Sequence, residues 1–567
     1  MTGRRDLWYA AFGALVLRLI LLLARGDYIV YDEGYYLLLA RSLRAGAGFT
    51  LNGLPHVALS PLQPVLVALA SAAGAPDLWA SRILAALCGA LLVFPVAALA
   101  RLAGGERAAL PAAVLAAVSP ALMSFVPFFP GRSWNLYFGS EPLFLLLAFG
   151  AVACAVRAES GSWRWSLAAG ALAALAYLTR LEGAVLAGVL LLVLAARLAL
   201  RREGAAAWGA LALAAGAGML VAAPYLVYLH RELGRWALSG RVQAATAPSG
   251  GESLSAVEGA RSGGQILSGF VWQGESDAFL RALNGLDASG TRMASQYWGV
   301  RRGGATAAAA HLTGAQRPAD SAGTASAPMH KSALRVWWEG VAAVVPWWLL
   351  AIALVGLALG SPQGLAWVSP LAVCALLPSM LTYVEPRSLL PLAPLAAIYA
   401  GVALARLSAH APTRMARPVT VALPGLAALA LLWPAMRDGA QAWGQTTPLQ
   451  QVAAARRAVG EYVAQHLPAE ATVMSWHPAV AIWAGRSWRV LPYDSFERIM
   501  AYARTEGTAA VVFSRFEPSP ISKPPRAFTI VLPAGDTATA SGGRVQLQPV
   551  DETPLLFVGR MAAPGAP

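Results

Sequence analysis

The chain has 567 residues, of which 57% are hydrophobic and only 13% are charged. This balance excludes an ordinary soluble globular protein and is typical of a polytopic membrane protein. The formal net charge of +14 does not indicate nucleic-acid binding, because the basic residues fall largely in short loops between apolar runs.

About eleven apolar runs have the composition and approximate length of membrane spans, for which about 20 residues suffice. They lie near residues 7–24, 78–100, 108–127, 141–157, 166–180, 183–200, 206–229, 341–360, 365–383, 388–406 and 418–435. The sequence therefore predicts an α-helical polytopic membrane protein, and we place its N-terminus in the cytoplasm. The arginines of the short loops then fall on the inner side, as the positive-inside rule requires.

Four segments face outward on this assignment, namely the loops 25–77, 128–140 and 230–340 and the tail 436–567. Within the first loop, residues 33–45 and 61–73 have enough apolar content to form short helices along the membrane interface. Residues 1–435 are accordingly predicted to form the transmembrane domain.

The tail 436–567 is predicted to be a small extracytoplasmic α/β domain, because its apolar runs are short and alternate between helical and strand periodicity. The predicted elements are a helix at Leu449–His466, a strand at Ala471–Trp476, a helix at Asp494–Thr505, a strand at Ala509–Phe513 and β-like segments near 526–533 and 543–549. His477 has no metal-ligand pattern around it, which favours a structural role.

Two adjacent carboxylates, Asp32 and Glu33, follow the first predicted span in the run Tyr31-Asp32-Glu33-Gly34-Tyr35-Tyr36. An acidic pair at a membrane surface is costly to bury and has no evident packing use. It therefore indicates a site that takes a proton or holds a cation. For the pair taken alone, a solvated loop start is the alternative interpretation.

Three further segments bring charged residues to the same predicted face. Glu141 opens the fourth span, Arg180 and Glu182 occupy the outer turn between the fifth and sixth spans, and Arg387 starts the tenth. Each of these residues could be an interfacial charge, and Arg180 with Glu182 could be a simple ion pair. Their convergence with the acidic pair from four distant segments favours a functional site.

The residue types at this site suit one kind of chemistry. A carboxylate beside an acceptor hydroxyl can remove its proton, and planar guanidinium donors match the oxygens of a lipid-linked phosphate. An arginine beside a departing phosphate stabilises the transition state more than the ground state. Asp32, Glu33 and Glu141 could together hold a divalent cation, although base catalysis alone also explains them. No other cofactor is indicated.

These motifs, in this order, resemble the C-type glycosyltransferase superfamily, in the branch of the protein O-mannosyltransferases and the lipid A aminoarabinose transferases. The matching segments are Asp32-Glu33, Ser140-Glu141-Pro142-Leu143, Leu178-Thr179-Arg180-Leu181-Glu182-Gly183, Arg387 with Leu389-Leu390-Pro391-Leu392-Ala393-Pro394, and the tail from Val473-Met474-Ser475-Trp476 through Gly485-Arg486 to Leu491-Pro492. The resemblance covers the membrane part well and the loop 240–330 hardly at all.

The resemblance implies an inverting glycosyltransferase of the bacterial inner membrane, with its active site and its tail outside the cytoplasm. Such an enzyme moves a hexose or pentose from a polyprenyl-phosphate donor to a hydroxyl of a glycan, lipid or protein acceptor. The implied catalytic residues are Asp32, Glu33 and Glu141, with Glu182 and Tyr35 supporting them. The implied donor-phosphate ligands are Arg387, Arg180, Arg132, His56 and Arg241.

Two departures from the family pattern bear on the substrate. Relatives often carry a lysine and two prolines where this chain reads Leu59-Ser60-Pro61-Leu62. The donor-phosphate lysine is therefore missing, and one of the arginines or His56 would take its part. The Arg-Pro-Glu-Gly form of relatives is Arg180-Leu181-Glu182-Gly183 here, which argues against transferring a substrate from any one relative.

Two other functional classes remain as alternatives. A transporter or flippase of lipid-linked sugars is disfavoured, because the notable charges lie at outer span ends rather than at the bilayer midplane and no internal repeat is evident. An oligosaccharide ligase or polymerase stays open, because such enzymes rely on a large outer loop with arginines and the loop 230–340 supplies one.

Overall fold

The computed structural model is mostly helical and ends in a small mixed sheet. It describes residues 4–25, 29, 31–51, 54–57, 59–123, 139–159, 162–239, 333–381, 387–409, 422–433, 448–475, 477–490, 503, 507–514, 528–532, 545–546 and 556–560. The predicted tail helix at Asp494–Thr505 falls almost entirely outside these residues.

The helices follow the predicted apolar runs. They are α1 (Arg4–Arg25), α2 (Tyr31–Arg44), α3 (Leu62–Ala72), α4 (Asp77–Leu91), α5 (Val93–Gly104), α6 (Glu106–Val118), α7 (Glu141–Ala158), α8 (Trp163–Thr179), α9 (Glu182–Leu200), α10 (Ala205–Leu233), α11 (Ala333–Val344), α12 (Trp347–Leu359), α13 (Pro362–Leu381), α14 (Leu392–Ala409), α15 (Ala422–Trp433) and α16 (Pro448–His466). The predicted short helices at 33–45 and 61–73 correspond to α2 and α3.

Several of these helices suit a membrane, which confirms the predicted multi-pass protein. Among the described residues, six helical stretches are long and apolar enough to cross a bilayer: Arg5–Leu23, Asp77–Gly104, Glu141–Ala158, Glu182–Leu200, Ala205–Leu233 and Leu392–Ala409. Shorter apolar helices accompany them, so the total of about eleven spans stays a prediction.

Proline breaks two of the predicted runs. The run 341–360 is not one continuous helix, because Pro346 has a ψ of 141°, outside the helical range, and separates α11 from α12. Between α4 and α5 the helical path is interrupted only at Leu92. Pro95 has no N–H to donate to the carbonyl of Leu91, which removes one helical hydrogen bond at this point.

Small residues let the central helices approach closely. α14 lies against α6, α5 and α12, and nearly all of its side chains are buried. A Cβ on Gly356 of α12 would overlap the carbonyl of Tyr399, and one on Gly401 would lie 2.8 Å from the Cβ of Ala112 on α6. Close backbone approach of this kind stabilises helix pairs in membranes, where lipid offers no hydrophobic driving force.

A buried arginine connects α1 to the end of α6. The Arg18 guanidinium is 2% exposed and donates hydrogen bonds to the carbonyls of Ala14, Ala117 and Leu122 at 3.1, 3.0 and 3.0 Å. Gly89 of α4 leaves room for it, since a Cβ there would lie 2.6 Å from the Arg18 Nε. Backbone carbonyls thus compensate a charge that would otherwise be costly inside a membrane.

The tail forms a six-stranded sheet with one short helix. Its elements are β3 (Thr472–Ser475), α17 (Ala479–Ala484), β4 (Ser487–Val490), β5 (Thr508–Ser514), β6 (Phe528–Leu532), β7 (Val545–Gln546) and β8 (Leu556–Arg560). A separate pair of two-residue strands, β1 (Thr50–Leu51) and β2 (Leu54–Pro55), lies between α2 and α3. The strand order is β4-β3-β5-β6-β8-β7, with β3 parallel to both β4 and β5. The predicted α/β character is thereby confirmed, while the division at residue 435 stays a prediction.

The tail segment that resembles the family, from Val473 to Pro492, has a structural use in this fold. Arg486 donates to the carbonyls of Ala464 and Leu467, at 2.9 and 2.8 Å, and so caps the end of α16. The buried Trp488 donates from its indole nitrogen to the Ser475 carbonyl at 3.0 Å. Burial, together with the positive charge of Arg456, holds the pKa of His477 well below its ordinary value.

The predicted orientation can be tested with two exposed positions, Glu470 after α16 and Glu203 between α9 and α10. In intact cells, a membrane-impermeant maleimide should label Glu470→Cys and not Glu203→Cys, because the inner loops carry the arginines. The native Cys88, Cys154 and Cys374 are buried, so the parent protein supplies the unlabelled control. Labelling of Glu203→Cys alone would reverse the orientation.

Candidate functional site

An ion-pair cluster lies where α7, α8 and α9 meet. Glu141 is the first residue of α7, and Glu182 is the first residue of α9. Between them, Arg180 follows α8 in an extended conformation with φ −150° and ψ 144°. Its Nη1 donates to Glu141 Oε1 at 2.7 Å and its Nη2 to Glu182 Oε1 at 2.8 Å. Both carboxylates sit at helix N-termini, where the helix dipole favours negative charge.

Arg387 approaches the same cluster from a fourth segment. It lies in the turn before α14, is 9% exposed, and places its Nη1 3.9 Å from Glu141 Oε1. The two arginines and two glutamates therefore balance in formal charge. The Arg387–Glu141 contact is longer than either contact of Arg180.

Helix α2 contacts the two residues that precede Glu141 in the chain. On α2, the Tyr36 hydroxyl lies 3.0 Å from Ser140 Oγ, next to the start of α7. The Gly139 N–H donates to Glu141 Oε2 at 3.0 Å, and a Cβ on Gly139 would lie 2.8 Å from the Tyr36 ring. Position 32 precedes Tyr36 by one helical turn, so the two positions share a face of α2.

Glu33 has a different partner from Glu141. Its Oε1 accepts a hydrogen bond from Arg82 Nε of α4 at 3.2 Å, and both side chains are at most 3% exposed. Neighbouring helical positions point in different directions, so Asp32 and Glu33 cannot both face Arg82. Glu33 fixes α2 to α4, whereas the side chain of Asp32 lies outside the described residues.

Sequence reasoning missed Arg82. A signal was present, because an arginine within an apolar run requires a compensating partner in the protein. Since the run 78–100 contained no acidic residue, that partner had to come from another segment.

The remaining predicted residues are His56 and Tyr35, which the structure describes, and Arg132 and Arg241, which it does not. His56 is fully buried, accepts the Leu59 N–H on its Nε2 at 3.0 Å, and offers its carbonyl to the Tyr228 hydroxyl at 3.0 Å. These contacts organise the loop before α3, and a role of His56 in binding phosphate stays a prediction. Tyr35 is buried against Trp488 of the tail, with ring centroids 5.3 Å apart. The two other predicted phosphate ligands, Arg132 and Arg241, lie outside the described residues.

A divalent cation remains a prediction. Among the described residues, no three His, Cys, Asp or Glu side chains come together in a way that could hold a metal ion. The predicted set of Asp32, Glu33 and Glu141 includes one side chain outside that description. The other two carboxylates pair with arginines, Glu33 with Arg82 and Glu141 with Arg180 and Arg387.

Comparison with known proteins gave matches to glycosyltransferases. Residues 59–228 match the family model of the dolichyl-phosphate-mannose-protein mannosyltransferases. A search of curated proteins found no match.

Solved structures with some likeness include the apo oligosaccharyltransferase of Archaeoglobus fulgidus, which is 14% identical, with 90% of this chain and 69% of that chain covered and a TM-score of 0.49. ArnT from Cupriavidus metallidurans, bound to undecaprenyl phosphate, is 15% identical, with 89% of this chain and 92% of that chain covered and a TM-score of 0.45. The arabinofuranosyltransferase AftD from Mycobacteria is 16% identical, with 90% of this chain and 35% of that chain covered and a TM-score of 0.44. Because these TM-scores lie below 0.5, the likeness decides neither donor nor acceptor.

The family match spans α3 to most of α10, including Glu141, Arg180 and Glu182. The match supports a membrane glycosyltransferase and does not identify the sugar that this chain transfers. Over residues 59–228, the match confirms the predicted resemblance to the C-type glycosyltransferase superfamily, in its mannosyltransferase-like branch.

Proposed function

We propose that this protein is an inverting glycosyltransferase that moves one sugar from a polyprenyl-phosphate donor to an acceptor hydroxyl on the outer face of the membrane. The observation that carries the proposal is the cluster of buried Glu141 and Arg387 with the half-buried Arg180 and Glu182, beside the helix that bears Asp32. The bacterial inner membrane and the outward active site are part of the same proposal.

A groove for the lipid part of such a donor lies beside the cluster. A cavity of ≈ 250 Å³ opens between α8, α9 and α10, and almost all of its lining is apolar. Tyr177 and Ala184, which line it, flank the Arg180–Glu182 turn in the chain. An isoprenoid chain placed there would have its phosphate close to the arginines, because the groove starts where the turn does.

In the proposed reaction, Arg387 binds the donor phosphate and Arg180 chiefly holds Glu141 and Glu182 in place. Asp32 accepts the proton of the acceptor hydroxyl while that oxygen bonds to the anomeric carbon of the sugar. The bond between the anomeric carbon and the phosphate oxygen breaks, and polyprenyl phosphate leaves with the electron pair. A single displacement of this kind inverts the anomeric centre. The guanidinium stabilises the charge that develops on the leaving phosphate.

The purified protein should release polyprenyl phosphate and transfer the label when it is given a polyprenyl-phosphate-linked radiolabelled monosaccharide and a membrane extract as acceptor. Use of only an oligosaccharide on a pyrophosphate carrier would instead identify a ligase or polymerase. Movement of the intact donor across vesicles without bond cleavage would identify a flippase. The lipid-linked sugar that accumulates in cells lacking the protein would name the donor.

A further inference from the structure

Helix α2 is buried on all sides near its start. Glu33, Gly34, Tyr35, Tyr36 and Leu37 are five successive buried residues. A helix that merely lies on a membrane surface buries one face and exposes the other. Complete burial over more than one turn therefore requires protein on the outer face of α2, and the tail supplies it.

The closest approach is between Gly34 and Pro478. A Cβ on Gly34 would lie 2.5 Å from Pro478 Cγ and 3.3 Å from Pro478 Cβ, with Ile482 Cδ1 at 3.4 Å. Pro478 directly precedes α17, and its ring cannot swing aside as a flexible side chain could. Only glycine at position 34 lets the two helices reach this separation.

Two further contacts join the tail to α2. Tyr35 packs edge-on against Trp488 of β4, a fully buried side chain. Arg41 donates from Nη1 to the Ile482 carbonyl near the end of α17 at 3.2 Å, while its Nε is held by Asp77 at 2.7 Å. The Ile482 carbonyl also accepts the Gly485 N–H at 3.2 Å, so Arg41 is a second donor to it at the end of α17.

The opposite side of α2 carries the link to the candidate site. Tyr36 contacts Ser140 at the start of α7, and Glu33 pairs with Arg82 of α4. The position of α2 relative to Glu141 therefore depends on contacts from both sides. Displacing its outer face would shift Tyr36 and, one turn earlier, position 32.

We infer that the C-terminal α/β unit positions α2 against the start of α7, and that the Gly34–Pro478 contact fixes this arrangement. Gly34 and Pro478 are thus positioning residues, which act through α2 and touch neither donor nor acceptor. The consequence for activity rests on the proposed function, whereas the contact and its effect on the position of α2 do not.

Gly34→Ala should lower kcat for sugar transfer on the order of 10- to 100-fold with little change in the KM for donor, because small misplacements of a catalytic group cost about this much. Pro478→Ala removes the atom nearest to the added methyl group, so Gly34→Ala with Pro478→Ala should regain most of the lost activity. Gly13→Ala is the matched control, since it adds a methyl group to helix α1 with nothing within 4 Å.

Two readouts do not depend on activity. In Gly34→Cys with Pro478→Cys a disulfide should form under mild oxidation, because the two Cβ positions lie 3.3 Å apart, close to the separation that a disulfide needs. The distance between spin labels at the exposed positions Ala45 and Arg235 should change in Gly34→Ala and return in the double variant.

The inference is overturned if Gly34→Ala leaves the label distance unchanged. It is also overturned if the double variant, Gly34→Ala with Pro478→Ala, does not return to the label distance of the parent. If the parent protein transfers no sugar while the disulfide forms and the label distance responds as expected, the proposed function fails and the positioning role stands. If the parent is active and Gly34→Ala changes the label distance but not kcat, the tail does not position a catalytic group.

Discussion

Asp32→Asn should reduce kcat for sugar transfer by about 10²- to 10⁴-fold, the usual loss when a general base is removed. The amide keeps the shape of the carboxylate and cannot accept the proton of the acceptor hydroxyl. Donor binding should be unchanged, because it is assigned to arginine rather than to Asp32. The measurements are single-turnover transfer with purified protein and, separately, donor affinity.

Glu33→Gln provides the informative contrast. The Glu33 carboxylate is buried against Arg82, and removing one partner of a buried pair costs about 3–5 kcal/mol of stability because the other charge is left uncompensated. This variant should therefore lower the thermal unfolding midpoint, whereas Asp32→Asn should not. Asp6→Asn in the first turn of α1 serves as a matched control that leaves the outer face intact.

Near-parent transfer by Asp32→Asn would show that the base lies elsewhere. Glu141 would be the next candidate, but its two oxygens already accept hydrogen bonds from Arg180 and from the Gly139 N–H. These donors occupy part of the acceptor capacity of the carboxylate, so an acceptor hydroxyl finds fewer open sites on Glu141. The position of Asp32 on the same face of α2 as Tyr36 therefore makes it the better base.

Much of the fold was predictable because membrane spans have a strong local signal. Length and apolarity located α1, α7, α9, α10 and α14 close to their observed bounds. The breaks at Pro95 and Pro346 were predictable in principle from the missing N–H of proline, but a hydropathy pattern averages over single residues. Strand β4 and helix α17 are short, and their periodicity is too brief to read from sequence.

The candidate site was predictable only in part. Topology alone placed Glu141, Arg180, Glu182 and Arg387 on one face, and the structure joins them in one cluster. Which carboxylate each arginine binds depends on side-chain geometry across helices that are far apart in sequence. The partner of Glu33 was not predictable for the same reason. Nor was the contact of Gly34 with Pro478, which joins segments more than 400 residues apart.

Arg387→Ala tests the donor side of the proposal and should cost about 10²- to 10³-fold in kcat, as the loss of one group that stabilises a developing negative charge does. Donor affinity should fall as well, since the guanidinium also contacts the phosphate before reaction. The kcat of Arg387→Lys should lie between that of Arg387→Ala and that of the parent, because lysine keeps the positive charge but cannot form the bidentate hydrogen bonds of a guanidinium. Arg406→Ala, at the other end of α14 and exposed, is the matched control.

Arg180→Ala should behave differently from Arg387→Ala, and the difference separates binding from structure. Arg180 is held by both Glu141 and Glu182 at 2.7 and 2.8 Å, so its removal takes a short ion pair from each of two carboxylates and should lower the unfolding midpoint before any effect on donor is seen. Polyprenyl phosphate should raise the unfolding midpoint of the parent and of Arg406→Ala, as any ligand of the folded state does, and fail to raise that of Arg387→Ala. If polyprenyl phosphate stabilises Arg387→Ala as much as the parent, the donor phosphate binds elsewhere on this face.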